Sequence, residues 1–304
     1  MNKPELLFID CDHAGIQPGT HRMACWSHGK ANHAHLVVCV HGISRQGRDF
    51  DVLAEKLMGP DGQRCRVVSV DVAGRGHSDW LPDPALYQVP QYAADLVTLL
   101  MNLKGQGAQT IDWVGTSMGG LIGIAVAAQA ALMPQLASLK PRKLILNDVG
   151  PVVQWAALQR ISSYLGADKR FASEQEAMDY MWQLSKSFGP HTQAQWRALS
   201  LPMIRQDGQQ FKLHYDPAIA LPVKATTPEA AVHGQAMLWQ LYDAIASDTL
   251  LIRGQDSDLI SAETAQQMQE RGPKAKLVEF AGVGHAPTFV QPEQTQVIED
   301  FLFG

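Results

Sequence analysis

The chain has 304 residues, 46% of them apolar and 18% charged, with a formal net charge of −5 and an isoelectric point near 6.1. This composition excludes a disordered chain, and an acidic balance without any dense basic stretch argues against nucleic acid as a partner. No window approaches the roughly 18 uninterrupted apolar residues of a membrane span, and MNKPELLFID lacks the apolar centre and cleavage site of a signal peptide, so the expectation is a cytoplasmic protein without membrane contact.

Cys11, Cys25, Cys39 and Cys65 come first along the chain, without CxxC spacing. They support neither a disulfide framework nor a zinc site, and no metal is expected. Cys39, inside an apolar run, reads as a buried free thiol. His13, His21, His28, His33 and His35 read as solvated residues of the N-terminal region. Short apolar or β-branched runs then recur: LVVCVHG (36–42), CRVVSVDVAG (65–74), IDWVGTS (111–117), KLILNDVG (143–150), TLLIRG (249–254) and AKLVEFAGVGH (275–285). Runs of this kind suit strands buried on both faces, as in a parallel sheet. Between them, PQYAADLVTLLMNL (90–103) and SMGGLIGIAVAAQAAL (117–132) have helical spacing, the second rich in the small residues that close packing on a sheet requires. Strand alternating with helix implies right-handed crossovers and a doubly wound α/β fold. The alternation breaks from about residue 151 to 245, where WAALQRISSYL, SEQEAMDYMWQLSKSF, TQAQWRALSLPMI and EAAVHGQAMLWQLYDAI read as helices and loops. An insertion entered and left from one side of a sheet should lie over it as a helical cap, leaving 1–150 and 246–304 as the core domain and 151–245 as the cap.

Three loops carry the chemistry. Gly115-Thr116-Ser117-Met118-Gly119 stands directly after a strand-like run and directly before a helix-like one, the strand–turn–helix context that gives G-x-S-x-G its meaning. A turn this sharp needs flanking residues without a Cβ, and it holds the Ser117 hydroxyl clear of the sheet above a helix N-terminus. His41-Gly42-Ile43 ends an earlier run. There the Ile43 amide, with the amide of Met118, can form an oxyanion hole, Gly42 letting the loop come close; His41 itself reads as structural. Gly282-Val283-Gly284-His285 follows the last run, and a histidine at a strand end can take the proton of Ser117.

In this order, HG, then DVAGRGHSD (71–79), then G-x-S-x-G, then G-x-G-H, the chain resembles the α/β-hydrolase family over most of its length outside the cap. The resemblance implies a mostly parallel eight-stranded sheet flanked by helices, with the cap inserted after the sixth strand. It also implies an acid that orients His285. The common family position lies three residues past Gly254, which here is Ser257. That departure is similar to a subgroup of small esterases whose acid sits one strand earlier, at the position of Asp148; Asp148 is favoured over Asp258, with Asp256 third. The expected activity is hydrolysis of a small carboxylic ester through an acyl-enzyme on Ser117, with no cofactor. Carbon–carbon hydrolysis of ring-fission diketones is the alternative within the fold, and a non-catalytic receptor for a small ligand is the alternative outside enzymes. Gly42, Arg45 and Trp182 are the expected substrate-binding residues; the other cap tryptophans with Met181, Met203, Phe211 and Tyr215 could line an apolar pocket. Arg45 or Arg48 could bind a substrate carboxylate, with Asp49 and Asp51 as competing partners.

Overall fold

Strand β3 (His35–Val40) shows why the apolar runs become a sheet buried on both sides. Leu36, Val38 and Val40 enter one hydrophobic core, while Val37 and Cys39 enter a second on the opposite face, as the two-residue period of a strand requires. The computed structural model describes residues 3–13 and 19–304.

In chain order the hairpin β1 (Glu5–Asp12) and β2 (Thr20–His28) precedes β3, followed by α1 (Asp51–Met58), β4 (Arg66–Asp71), α2 (Val89–Gly105), β5 (Thr110–Thr116), α3 (Met118–Leu132) and β6 (Lys143–Asn147). The segment after β6 holds α4 (Trp155–Tyr164), α5 (Glu174–Leu184), α6 (Gln193–Ser200), the hairpin β7 (Ile204–Asp207) and β8 (Gln210–Leu213), α7 (Ala220–Ala225) and α8 (Pro228–Asp243). The chain then returns through β9 (Asp248–Gly254), α9 (Ala262–Glu270), β10 (Lys276–Phe280) and α10 (Pro292–Phe303). Among the described residues the main sheet has eight strands in the order β1-β2-β4-β3-β5-β6-β9-β10. β1 and β2 are antiparallel to each other and β2 to β4, and the strands from β4 to β10 run parallel. This is the expected mostly parallel, doubly wound α/β sheet.

Both faces are covered. Leu96, Leu99, Leu100 and Leu103 of α2 and Ile122 and Val126 of α3 pack on one side; Leu53 and Leu57 of α1 and Ile298 and Leu302 of α10 pack on the other. Each fully buried Leu or Ile contributes about 1.5–3 kcal/mol. α3 lies tightly on β5: Trp113 donates its indole N–H to the Gly119 carbonyl at 3.1 Å.

Three details depart from the sequence reading. The two strands before β3 that the eight-stranded resemblance implies were not located along the sequence, because the β1–β2 edge ribbon alternates polar with apolar residues and lacks a continuous apolar run. His21 and His28 are buried rather than solvated: His21 Nε2 lies 3.1 Å from Asp95 Oδ2 and joins β2 to α2. The 151–245 segment is not wholly helical, since β7 and β8 form an antiparallel pair within it. All four cysteines are buried and free. Among the described residues, no helix is long and apolar enough to cross a membrane.

Candidate active site

At the end of β5 the backbone turns so sharply that Ser117 takes φ 52° and ψ −119°, a region costly for any residue with a side chain. The neighbours explain how it is tolerated: a Cβ at Gly115 would overlap the Gly119 carbonyl, and one at Gly119 would overlap the Val40 carbonyl. Only glycine lets β5, α3 and the end of β3 converge here. α3 begins at the next residue, Met118, so the first amides of a helix, which have no partner within it, lie beside the Ser117 side chain.

Two other strand ends complete the geometry. His285, on the loop after β10, places Nε2 at 3.0 Å from Ser117 Oγ and Nδ1 at 2.7 Å from Asp148 Oδ2. A carboxylate only accepts, so Nδ1 carries the proton and the Nε2 lone pair faces the serine hydroxyl. Asp148 directly follows β6, at φ 54° and wholly buried. Its second oxygen accepts from the Gly254 amide at 2.8 Å. Ser257 Oγ donates to Asp148 Oδ2 at 2.6 Å while accepting from the amides of Leu259 and Ile260. Ser257, at the place where the resemblance leads one to look for an acid, is therefore a donor that supports one. Asn147 ties the loops together by donating to Thr116 Oγ1 at 3.0 Å and to the Pro287 carbonyl at 2.8 Å.

The other acids lie elsewhere. Asp258 forms a two-point pair with Arg160 at 2.7 and 2.9 Å, and Asp256 is exposed.

A cavity of about 100 Å³ opens beside Ser117 and His285, between the loop after β3 and the α4–β8 segment. Gly42, Ile43 and Arg45 line it, as do Met181, Met203 and Tyr215. A Cβ at Gly42 would meet Ser117 Cβ at 3.5 Å, ordinary contact, so packing does not demand glycine there; its absence of side chain keeps the cavity open next to the hydroxyl. Arg45 faces the cavity but its guanidinium is held by Asp49 at 2.6 and 2.7 Å and by the Leu199 carbonyl at 2.9 Å. Burial raises the Asp49 pKa even against that pull. Arg48 pairs with Asp51.

Trp182 is a correction. It is outside the cavity lining and instead meets Trp196 edge-on at 5.0 Å, with His191 at 6.2 Å. A helix turns about 100° per residue, so when Met181 of α5 faces the cavity its successor faces α6. Trp155, Trp196, Trp239 and Phe211 likewise stand outside the lining. Met118 is also absent from it: its side chain turns into the core, with Sδ 3.6 Å from Arg75.

Arg75, which the sequence reading passed over inside DVAGRGHSD, is fully buried and organises this wall. It donates to the Ile43 carbonyl at 2.8 Å, to the Ala73 carbonyl at 2.7 Å and to Tyr92 Oη at 2.8 Å. Asp71 in the same motif accepts from the amides of Gly47 and His77 at 2.7 and 2.9 Å, although burial raises its pKa. An aspartate and an arginine inside a Gly-rich strand-end run were the available signal. His41 Nε2 accepts from the Val72 amide at 3.0 Å, and burial lowers its pKa to about 3, in keeping with a structural role. Among the described residues, one group of metal-ligating types comes together, Cys11, His21 and Asp95, with donor atoms within 4.8 Å of one another; it lies outside the cavity lining.

Comparison with known proteins places the fold. The chain is 44% identical over 306 residues to the 3-hydroxybutyrate-oligomer hydrolase of Cupriavidus necator, covering 99% of this chain and 98% of that protein. It is 25% identical over 282 residues to an esterase of Mycobacterium tuberculosis, covering 88% and 81%. The solved structure of an alpha/beta hydrolase from Novosphingobium aromaticivorans superimposes with a TM-score of 0.80 at 31% identity over 99% of each chain. The alpha/beta hydrolase family is matched across residues 37–296, and the chain belongs to that family and is a hydrolase.

Proposed function

We propose that this enzyme hydrolyses short oligoesters of hydroxy acids, with Ser117 as nucleophile, His285 as general base and acid, and Asp148 as the orienting carboxylate. The observation that carries the reading is the single imidazole bridging Ser117 Oγ and Asp148 Oδ2. The substrate class rests on the 44% identity to a 3-hydroxybutyrate-oligomer hydrolase and on a cavity of about 100 Å³, room for a small acyl unit.

In this mechanism Ser117 Oγ attacks the ester carbonyl carbon while His285 Nε2 takes the hydroxyl proton. The carbonyl oxygen becomes an oxyanion received by the Ile43 and Met118 amides, while Arg75 holds the Ile43 carbonyl of the next peptide unit and so steadies the loop that carries the first of them. Collapse breaks the ester C–O bond, and the imidazolium returns the proton to the departing alkoxide. Water, deprotonated by the same imidazole, then attacks the acyl-enzyme, releasing the acid and restoring Ser117. Asp148 stabilises the imidazolium without taking its proton. The 151–245 segment acts as a cap that closes the acyl site.

Ser117→Ala is expected to abolish hydrolysis of p-nitrophenyl butyrate with an unchanged melting temperature, and a fluorophosphonate probe to label Ser117 by mass spectrometry. Full residual activity, or an adduct elsewhere, removes the nucleophile. Turnover of a vinylogous 1,5-diketone in place of esters would move the reading to carbon–carbon hydrolysis.

A further inference from the structure

The charges in the cavity wall are of one sign. Among the described residues the lining carries two cations, Arg45 and Arg160, and no acidic side chain, in a chain whose net charge is −5. The acids that pair with them, Asp49 and Asp258, are outside the lining, so an anion in the cavity meets the cationic member of each pair.

The two cations are held differently. The Arg45 and Asp49 side chains are 13% and 17% exposed, and Arg45 is also fixed by the Leu199 carbonyl; breaking that arrangement would strand a largely desolvated acid. Arg160, on α4, meets Asp258, on the loop after β9, with the two side chains 38% and 48% exposed, and also hydrogen-bonds the Tyr164 hydroxyl. An open pair of that sort is worth little to the fold. Its guanidinium can accept a second carboxylate, or exchange one for the other, at small cost. The planar fork of arginine suits a two-point grip on such a group. Tyr164, one turn further along α4, lines the same cavity.

We infer that Arg160 is the specificity-determining residue that recognises a free carboxylate on the substrate, with Asp258 as the resident counter-ion that this carboxylate displaces or shares. The inference rests on the oligoester reading, because a chain of hydroxy acids keeps one carboxylate at its end however many ester bonds are cut. Asp258 thereby has a part in substrate selection, and the enzyme distinguishes oligoester acids from neutral esters of the same size.

The test uses the whole protein and a matched pair of substrates, the linear dimer of 3-hydroxybutyrate as free acid and as its methyl ester. The readout is the ratio of kcat/KM for acid over ester. Arg160→Gln should lower the ratio by about ten-fold or more, mainly through KM of the acid, the size of a lost charge-assisted hydrogen bond. Arg160→Lys should keep part of the preference, and Asp258→Asn should raise it. A ratio within two-fold of wild type in Arg160→Gln overturns the carboxylate site, as does a fall in Asp258→Asn. Hydrolysis of p-nitrophenyl butyrate separates the two failures. If the wild type cleaves both dimers and the ratio stays put in Arg160→Gln, only the carboxylate site falls; if it cleaves p-nitrophenyl butyrate but neither dimer, the oligoester reading falls and takes this inference with it.

Discussion

The carboxylate of Asp148 shows how much one side chain's position depends on its neighbours. It accepts from His285, Ser257 and the Gly254 amide in a fully buried place, where unmet acceptors would be costly. Asp148→Asn should therefore lower kcat on p-nitrophenyl butyrate by up to about 10⁴-fold, the scale of losing the correct histidine tautomer, and far more than Asp258→Asn; steady-state kinetics giving the reverse ranking would move the acid to the later strand. Ser257→Ala leaves Ser117, His285 and Asp148 in place but removes one donor to Oδ2, so on the proposed mechanism kcat should fall about ten-fold with KM little changed. The sequence singled out Ser117 and His285 because strand-end motifs mark them, and favoured Asp148 over Asp258 only through the resemblance to a subgroup of the family. It passed over Ser257 and Arg75 because nothing local to a serine or arginine says which distant carboxylate or carbonyl it will meet.

Among the elements, α3 is under the tightest constraint. Trp113 fills the space under it, and a Cβ at Gly123 would fall 2.5 Å from the indole nitrogen. Replacing a mid-helix glycine by alanine ordinarily gains about 1 kcal/mol, but overpacking a rigid neighbour costs about 1–3 kcal/mol. Gly123→Ala should thus destabilise the protein, read as a lower urea midpoint at unchanged slope. The residue pattern SMGGLIGIAVAAQAAL announced close packing; which glycine meets the tryptophan followed only from the register of helix on strand. For α5 the same limit misplaced Trp182, since helical spacing names stripes without saying which stripe faces the cavity.

For the molecule as a whole, the burial of His41 links stability to pH. Its pKa falls from 6.5 to about 3, chiefly through burial, so the unfolded chain takes a proton that the folded chain refuses. Stability should therefore drop as pH falls from about 6.5 toward 3, by about 1.4 kcal/mol per pH unit for each such group. His214, lowered to about 4 by burial and by His77 and Arg205, acts with the same sign. Urea unfolding between pH 4 and 6 should show a slope shallower by about one proton in His41→Gln; an unchanged slope would remove His41 from the account. The sequence by itself determined the mostly parallel sheet and the order of its strand-end motifs, because runs of β-branched residues and glycine-bounded turns act over a few neighbours. Only the tertiary structure decided where β1 and β2 lie and how they pair, the β7–β8 pair, the partner of each charged side chain and the cavity wall. Those depend on contacts between residues tens to hundreds of positions apart, and the free energy that selects among them comes from packing, not from local pattern.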